Sequence, residues 1–168
     1  MRILVTAASR HGSTGEIAQE LGKALRGALP GMGVDVVPLT RVGSFDGYDA
    51  VVLGSAVYFG RWLDEARWQV TAHADALRER PVWLFSSGPI GSPPFPPDEP
   101  HDVLPLSQLV GARGHQVFAG RLDKDLLSFG ERAMVTAMRA PLGDFRDWDA
   151  VRAWAGEVAG RLRAPAPS

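Results

Sequence analysis

The sequence predicts an α/β protein: a doubly wound, five-stranded parallel sheet with helices on both faces. Three observations lead there. Short apolar runs alternate with segments of helical periodicity along the 168-residue chain, a pattern that builds right-handed βαβ units. Several of those runs are apolar throughout, as in strands buried on both faces. Small-residue turns rich in Ser and Gly follow three of the strands, at the sheet end where open α/β sheets bind ligands.

Ile3 to Ala8 is the first apolar run and reads as a buried strand. Ile17, Leu21, Ala24, Leu25 and Ala28 then recur at helical spacing, and Pro30, Gly31 and Gly33 end that helix. Val34 to Pro38 reads as a second strand and Ala50 to Ser55 as a third, with Asp46 to Asp49 turning between them. Leu63, Ala66, Val70, Ala74 and Leu77 form the stripe of one helix, and Pro81 to Ser86 a fourth strand. Pro89 to Pro105 holds most of the prolines and reads as a long loop, with a short helix within Val103 to Val110. His115 to Gly120 is the fifth strand. Leu126 to Arg139 reads as a helix, and Asp147 as the N-cap of a last one whose apolar face is Val151, Trp154, Val158 and Leu162. Residues 1–163 are expected to form one domain and 164–168 a disordered tail.

Composition narrows the chemistry. The formal net charge is -1 and no long basic run exists, so nucleic acid is not an expected partner. The chain contains no cysteine, which excludes disulfides, thiolate catalysis and Cys-based iron–sulfur or zinc sites; no metal is expected. Redox chemistry would have to come from a bound cofactor. Neither a secretory leader nor a membrane span is legible, so a cytoplasmic location is expected.

Three loops lie at the predicted carboxyl ends of strands. The first is Ser9, Arg10, His11, Gly12, Ser13 and Thr14, between a strand and an amphipathic helix. Backbone N–H groups at a helix start attract anions, and the Ser and Thr hydroxyls can donate to phosphate oxygens. Read alone, the loop is equally an N-capped polar turn. No Lys follows it as in a nucleotide-hydrolysing loop, and it lacks the GxGxxG pattern. A hydroxyl-rich cradle suits the phosphate monoester of FMN. The second loop carries Ser55, Ala56, Val57, Tyr58 and Phe59, with Trp62 beyond. Tyr58 is the better candidate for stacking on a flat ring, and Trp62 for ordinary packing. The third carries Ser86, Ser87, Gly88, Pro89 and Gly91, where small residues let backbone groups reach the polar edge of a flavin.

These residues resemble the flavodoxin superfamily, whose phosphate loop reads Thr/Ser-x-Thr-Gly-x-Thr. Here His11 stands where a hydroxyl residue is usual. A closer resemblance is to flavodoxin-domain proteins of the menaquinone-dependent protoporphyrinogen oxidase type. It rests on Ser9 to Thr14 with Glu16-Ile17-Ala18, on Gly54 to Gly60, on Phe118 to Leu122, and on Asp147-Trp148. The resemblance implies an FMN-dependent oxidoreductase or electron-transfer protein with a redox partner or small-molecule substrate. For the oxidase it also implies a quinone acceptor and peripheral contact with the inner membrane face. Members often dimerise so that a partner copy helps cover the ring. The oxidase carries an extra basic loop near its last strand, whereas Pro141 to Arg146 is short here.

Two other readings stay open: protoporphyrinogen IX dehydrogenation with a quinone, and a cofactor-free binding module, the latter motivated by His11. His101 is read as a solvent-exposed loop histidine more readily than as a proton shuttle. Leu126 to Arg139 carries Leu127, Phe129, Met134 and Met138 beside Arg132 and Arg139, and packing on the sheet is favoured for it over an interfacial role.

Overall fold

The computed structural model describes residues 1–58, 60–88, 102–122, 127–138 and 143–164. Five parallel strands run through it: β1 (Arg2–Ala8), β2 (Gly33–Pro38), β3 (Ala50–Tyr58), β5 (Val82–Ser87) and β6 (Gly114–Phe118). A two-residue strand, β4 (Arg61–Trp62), turns back antiparallel onto β3. The order of the parallel strands is β2-β1-β3-β5-β6. It reverses beside β1, which makes the β1/β3 boundary the topological switch point.

Helices cover both faces. On one face Ile3, Val5, Val52, Trp83 and Phe85 pack against α1 (Ser13–Ala28) and α6 (Trp148–Arg163). On the other, Leu4, Val51, Leu53 and Leu84 meet α2 (Asp64–Ala72), α3 (Ala74–Arg78) and α4 (Val103–Val110). Ile3 and Leu4 part to opposite faces because side chains alternate along a strand. β1, β3 and β5 are flanked by strands on both sides and by helices on both faces, which is why they lack hydrophobic alternation. Burial of each large core side chain contributes about 1.5–3 kcal/mol.

α1 buries Thr14, Ile17, Ala18, Leu21, Gly22 and Leu25, the stripe its periodicity requires. It lies so close to β2 that a Cβ on Gly22 would come 2.2 Å from Val36 Cγ2. Asp147 caps α6: its side chain accepts from the Ala150 N–H at 3.1 Å. Trp154 then seals the core edge against Phe118 and Phe85, with ring centroids 5.6 and 6.1 Å away.

Besides β3 running on through Tyr58 to pair with β4, where a loop is expected from Ser55, three features depart from the sequence expectation. The helix read across Leu63 to Leu77 is two, parting at His73 (φ -109°, ψ 20°). His73 N–H still donates to Gln69 C=O and Leu77 N–H to His73 C=O, both at 3.0 Å, so the apolar stripe stays on one face and the break leaves no mark on the periodicity. The antiparallel pair of β7 (Arg121–Leu122) and β8 (Gly143–Asp144) has no counterpart in the sequence pattern, since two-residue strands carry no periodic signal.

The third departure is α5 (Phe129–Met138). It does not pack on the sheet as favoured: none of its described side chains is buried, and Phe129 is 90% exposed. Both faces are already covered by other helices, so α5 projects from the body, with Leu127 just before it as the buried apolar anchor. Among the described residues no helix is long and apolar enough to cross a membrane. Phe59, Pro89, Gly91 and His101, most of the proline-rich loop, Pro141 and residues 165–168 of the tail lie outside the described residues.

Candidate functional site

β1, β3 and β5 end side by side. Ala8 pairs with Ser55, and Ala56 with Ser87. The chain leaves β1 toward α1 on one face and leaves β3 toward α2 on the other. By the rule for open α/β sheets, the space above the strand ends between the two departing loops is the expected ligand crevice.

The β1–α1 loop is shaped before any ligand arrives. Gly12 sits in the left-handed region at φ 87°, ψ -14°, and its N–H donates to Ser9 Oγ at 3.1 Å. Gly12 is itself the N-cap of α1 and makes no side-chain cap bond. Its carbonyl accepts the first helical bond, from Glu16 N–H at 3.0 Å. Ser13 and Thr14 thus lie inside the first turn, and neither is the cap. The N–H groups of a first turn have no partner within the helix. Ser13 Oγ is also buried and has no hydrogen-bond partner among the described residues. A buried, unsatisfied hydroxyl is costly and calls for an explanation.

The remaining predicted residues divide by what their side chains already do. Ser55 is fully buried; its Oγ accepts from Leu63 N–H at 3.0 Å and donates to Ala56 C=O at 2.8 Å, which fixes the turn after β3. Ser86 is also fully buried. It accepts from the Trp62 indole N–H at 2.8 Å, and its oxygen lies 2.7 Å from His115 Nε2. Trp62 is a core residue, 1% exposed. These hydroxyls are engaged inside the fold, so Ser55 and Ser86 offer a ligand backbone groups only. Ser87 and Gly88 stand at the crevice floor, where Gly88 N–H donates to Phe118 C=O at 3.2 Å. A Cβ on Gly88 would come 2.6 Å from Val57 Cβ, so only glycine lets these strand ends approach.

Tyr58, half-buried at the end of β3, faces the β1–α1 loop. The Arg10 guanidinium lies over its ring, 5.5 Å from the centroid, and the His11 ring meets it edge-on at 6.4 Å. Burial pushes the Tyr58 phenol up, aided by the Glu131 charge and opposed by Arg10.

Several residues at this site escaped the sequence reading. Glu131 of α5 places Oε2 3.1 Å from His11 Nε2 and 3.3 Å from Arg10 Nε. Burial alone would raise its carboxyl, but the Ser128 N–H, His11, the Ser128 hydroxyl and the Arg10 charge outweigh that and hold it at about 2. Ser128 and Glu131 also cap α5 reciprocally: Ser128 N–H donates to Glu131 Oε1 at 3.0 Å, and Glu131 N–H to Ser128 Oγ at 3.2 Å. That Ser-x-x-Glu capping box was the available sequence signal. Arg121 of β7 donates to the His11 carbonyl at 3.3 Å and so orients the loop from outside. Arg146 ties the β7–β8 pair to α1, bonding both Asp144 and Glu16 while only 5% exposed.

No curated protein matches the chain. Among solved structures, a flavodoxin from the domain Archaea is 14% identical, with a TM-score of 0.62 over 98% of this chain and 100% of that one. A flavodoxin variant from Pseudomonas aeruginosa is 17% identical, at 0.59 over 98% and 100%. The rubredoxin oxygen:oxidoreductase of Desulfovibrio gigas is 12% identical, at 0.65 over 96% of this chain, which spans only 36% of that protein. At these identities the likeness is one of fold. The Flavodoxin domain family matches residues 4–149, nearly the whole of the sheet and its helices, and the chain belongs to that family.

Proposed function

We propose that the crevice binds FMN and that the protein is an FMN-dependent oxidoreductase or electron-transfer protein. The observation that carries this is the buried, unpartnered Ser13 hydroxyl inside an uncapped helix start, next to left-handed Gly12. Ser13 Oγ and the first-turn N–H groups would hold the phosphate of a monoester. Backbone groups at the ends of β3 and β5, at Ala56 to Tyr58 and Ser87 to Gly88, would meet the polar edge of the ring, with Tyr58 on its face. When bound, the isoalloxazine supplies the electron chemistry. The chain's part is to orient it and to set the polarity around it, through a rigid strand-end floor and a phenol kept neutral by burial.

The narrower reading, quinone-linked protoporphyrinogen oxidation, rests on the resemblance alone. Two of the residues that carry it have structural work here: Asp147 caps α6 and Arg121 orients the His11 peptide. FMN and riboflavin differ only in the phosphate, so titration with both tests the site. Ser13→Ala is expected to lower FMN affinity by roughly tenfold to a hundredfold, the range for losing one hydrogen bond to a charged group. Its riboflavin affinity should not change. Equal losses for both ligands would remove Ser13 from the phosphate site.

A further inference from the structure

Arg10 and His11 belong to the loop that, on the reading above, receives a phosphate, yet their side chains are already turned elsewhere. Both converge on one carboxylate, Glu131, which reaches them from a different element. That carboxylate is only 17% exposed, and its depressed pKa keeps it ionised. The pairing holds Arg10 across one face of Tyr58. An anion is thus already supplied to this loop by the chain itself.

We propose that Glu131 is the internal counterion of the phosphate loop, and that a phosphate monoester displaces it and releases α5. The proposal rests on the FMN reading. Its physical basis is competition for the same side chains, Arg10 and His11. A phosphate group entering at Ser13 brings up to two negative charges beside a carboxylate, and like charges at close range repel. Arg10 is better matched by the incoming dianion, with which it can form two parallel hydrogen bonds. His11 and the α1 N-terminus favour the same exchange. Arg121 stays behind, held by the His11 carbonyl and by Glu16 at 3.8 Å.

α5 is suited to be released. None of its described side chains is buried, and among the described residues Leu127 and the contacts of Glu131 and Arg132 hold it. Elements with so few buried contacts open at low free-energy cost. When Glu131 leaves, Arg10 is free to leave Tyr58, and the ring face and phosphate cradle become accessible together.

Glu131→Gln separates charge from helix capping, because glutamine also serves at this capping-box position. Calorimetric titration of wild type and Glu131→Gln with FMN, inorganic phosphate and riboflavin reads the competition. Hydrogen exchange of residues 129–138 reads α5. Glu131→Gln is expected to bind FMN and inorganic phosphate roughly three- to tenfold more tightly than wild type, and riboflavin equally. In wild type, FMN and phosphate should speed exchange in α5, and riboflavin should not. If FMN binds both proteins equally, or binds Glu131→Gln more weakly, with α5 exchange unchanged, the counterion role is overturned while FMN binding stands. If neither protein binds FMN or phosphate, both readings fail.

Discussion

Gly12→Ala isolates the backbone of the β1–α1 loop from every other effect. Gly12 lies at φ 87°, and a Cβ built there has nothing within 4 Å. The substitution therefore adds no clash, and its cost is conformational alone. Holding an L-residue in the left-handed region costs about 1–2 kcal/mol. In a domain of this size each kcal/mol moves Tm by roughly 2–4 °C, so thermal unfolding monitored by circular dichroism should shift down by roughly 2–8 °C. Asn tolerates left-handed backbone better than Ala, so Gly12→Asn should recover a good part of that loss. The loop can instead escape the strain by turning Gly12 out of the left-handed region. It would then lose the N–H array at the start of α1, and the deficit would appear as weaker FMN binding of about tenfold or more, since a hydrogen bond to a charged group contributes about 1.5–3 kcal/mol. Either way the alanine variant shows a deficit. A Gly12→Ala protein with unchanged Tm and unchanged FMN affinity would refute the claim that this conformation builds the site.

Three other perturbations test neighbouring parts of the structure. Ser86→Ala leaves the buried Trp62 indole N–H without its acceptor, so chemical denaturation should show a loss of about 1–3 kcal/mol; an unchanged midpoint would mean the bond is not formed. Asp147→Ala removes the α6 cap and should cost about 1 kcal/mol in the same assay, whereas Asp147→Asn or Asp147→Ser should retain most of it. Glu131 is held at about 2, below its ordinary 4.5. Its contribution is therefore complete above about pH 4.5 and fades as pH falls toward 2. The stability advantage of wild type over Glu131→Gln, about 1 kcal/mol near neutrality after solvent screening, should shrink between pH 5 and pH 3. An advantage that stays constant or grows on acidification would contradict the ion pairing.

The fold was legible because its signals are local and repeated. Ile3 to Ala8 and Ala50 to Ser55 are apolar because both faces of their strands are covered, and Leu21 and Leu25 recur because one face of α1 is. The same logic could not see the β7–β8 pair, whose strands are two residues each, nor the break at His73, which keeps the apolar stripe intact. α5 was misjudged for a physical reason. Phe129, Met134 and Val135 look like core residues in sequence, but α1 and α6 on one face and α2, α3 and α4 on the other already cover the central strands.

Part of the candidate site was open to the same logic. Ser9 to Thr14 and Tyr58 are contiguous with strand ends, so their placement follows from the alternation of strands and helices. Sequence could not say which hydroxyls are already engaged: Ser55 and Ser86 look as available as Ser13 until the Leu63 amide and the Trp62 indole are found bonded to them. Glu131 lies 120 residues from His11, a pairing that no local pattern encodes.

FMN binding itself is the central claim, and a visible-absorption titration of the purified protein with FMN, run beside riboflavin, tests it most directly. The expected result is saturation at one FMN per chain, with a shifted flavin spectrum, anaerobic reduction of the bound flavin, and clearly weaker binding of riboflavin. A colourless protein whose added FMN keeps the spectrum of the free cofactor would contradict it, and would leave a flavodoxin-fold module that works without a flavin.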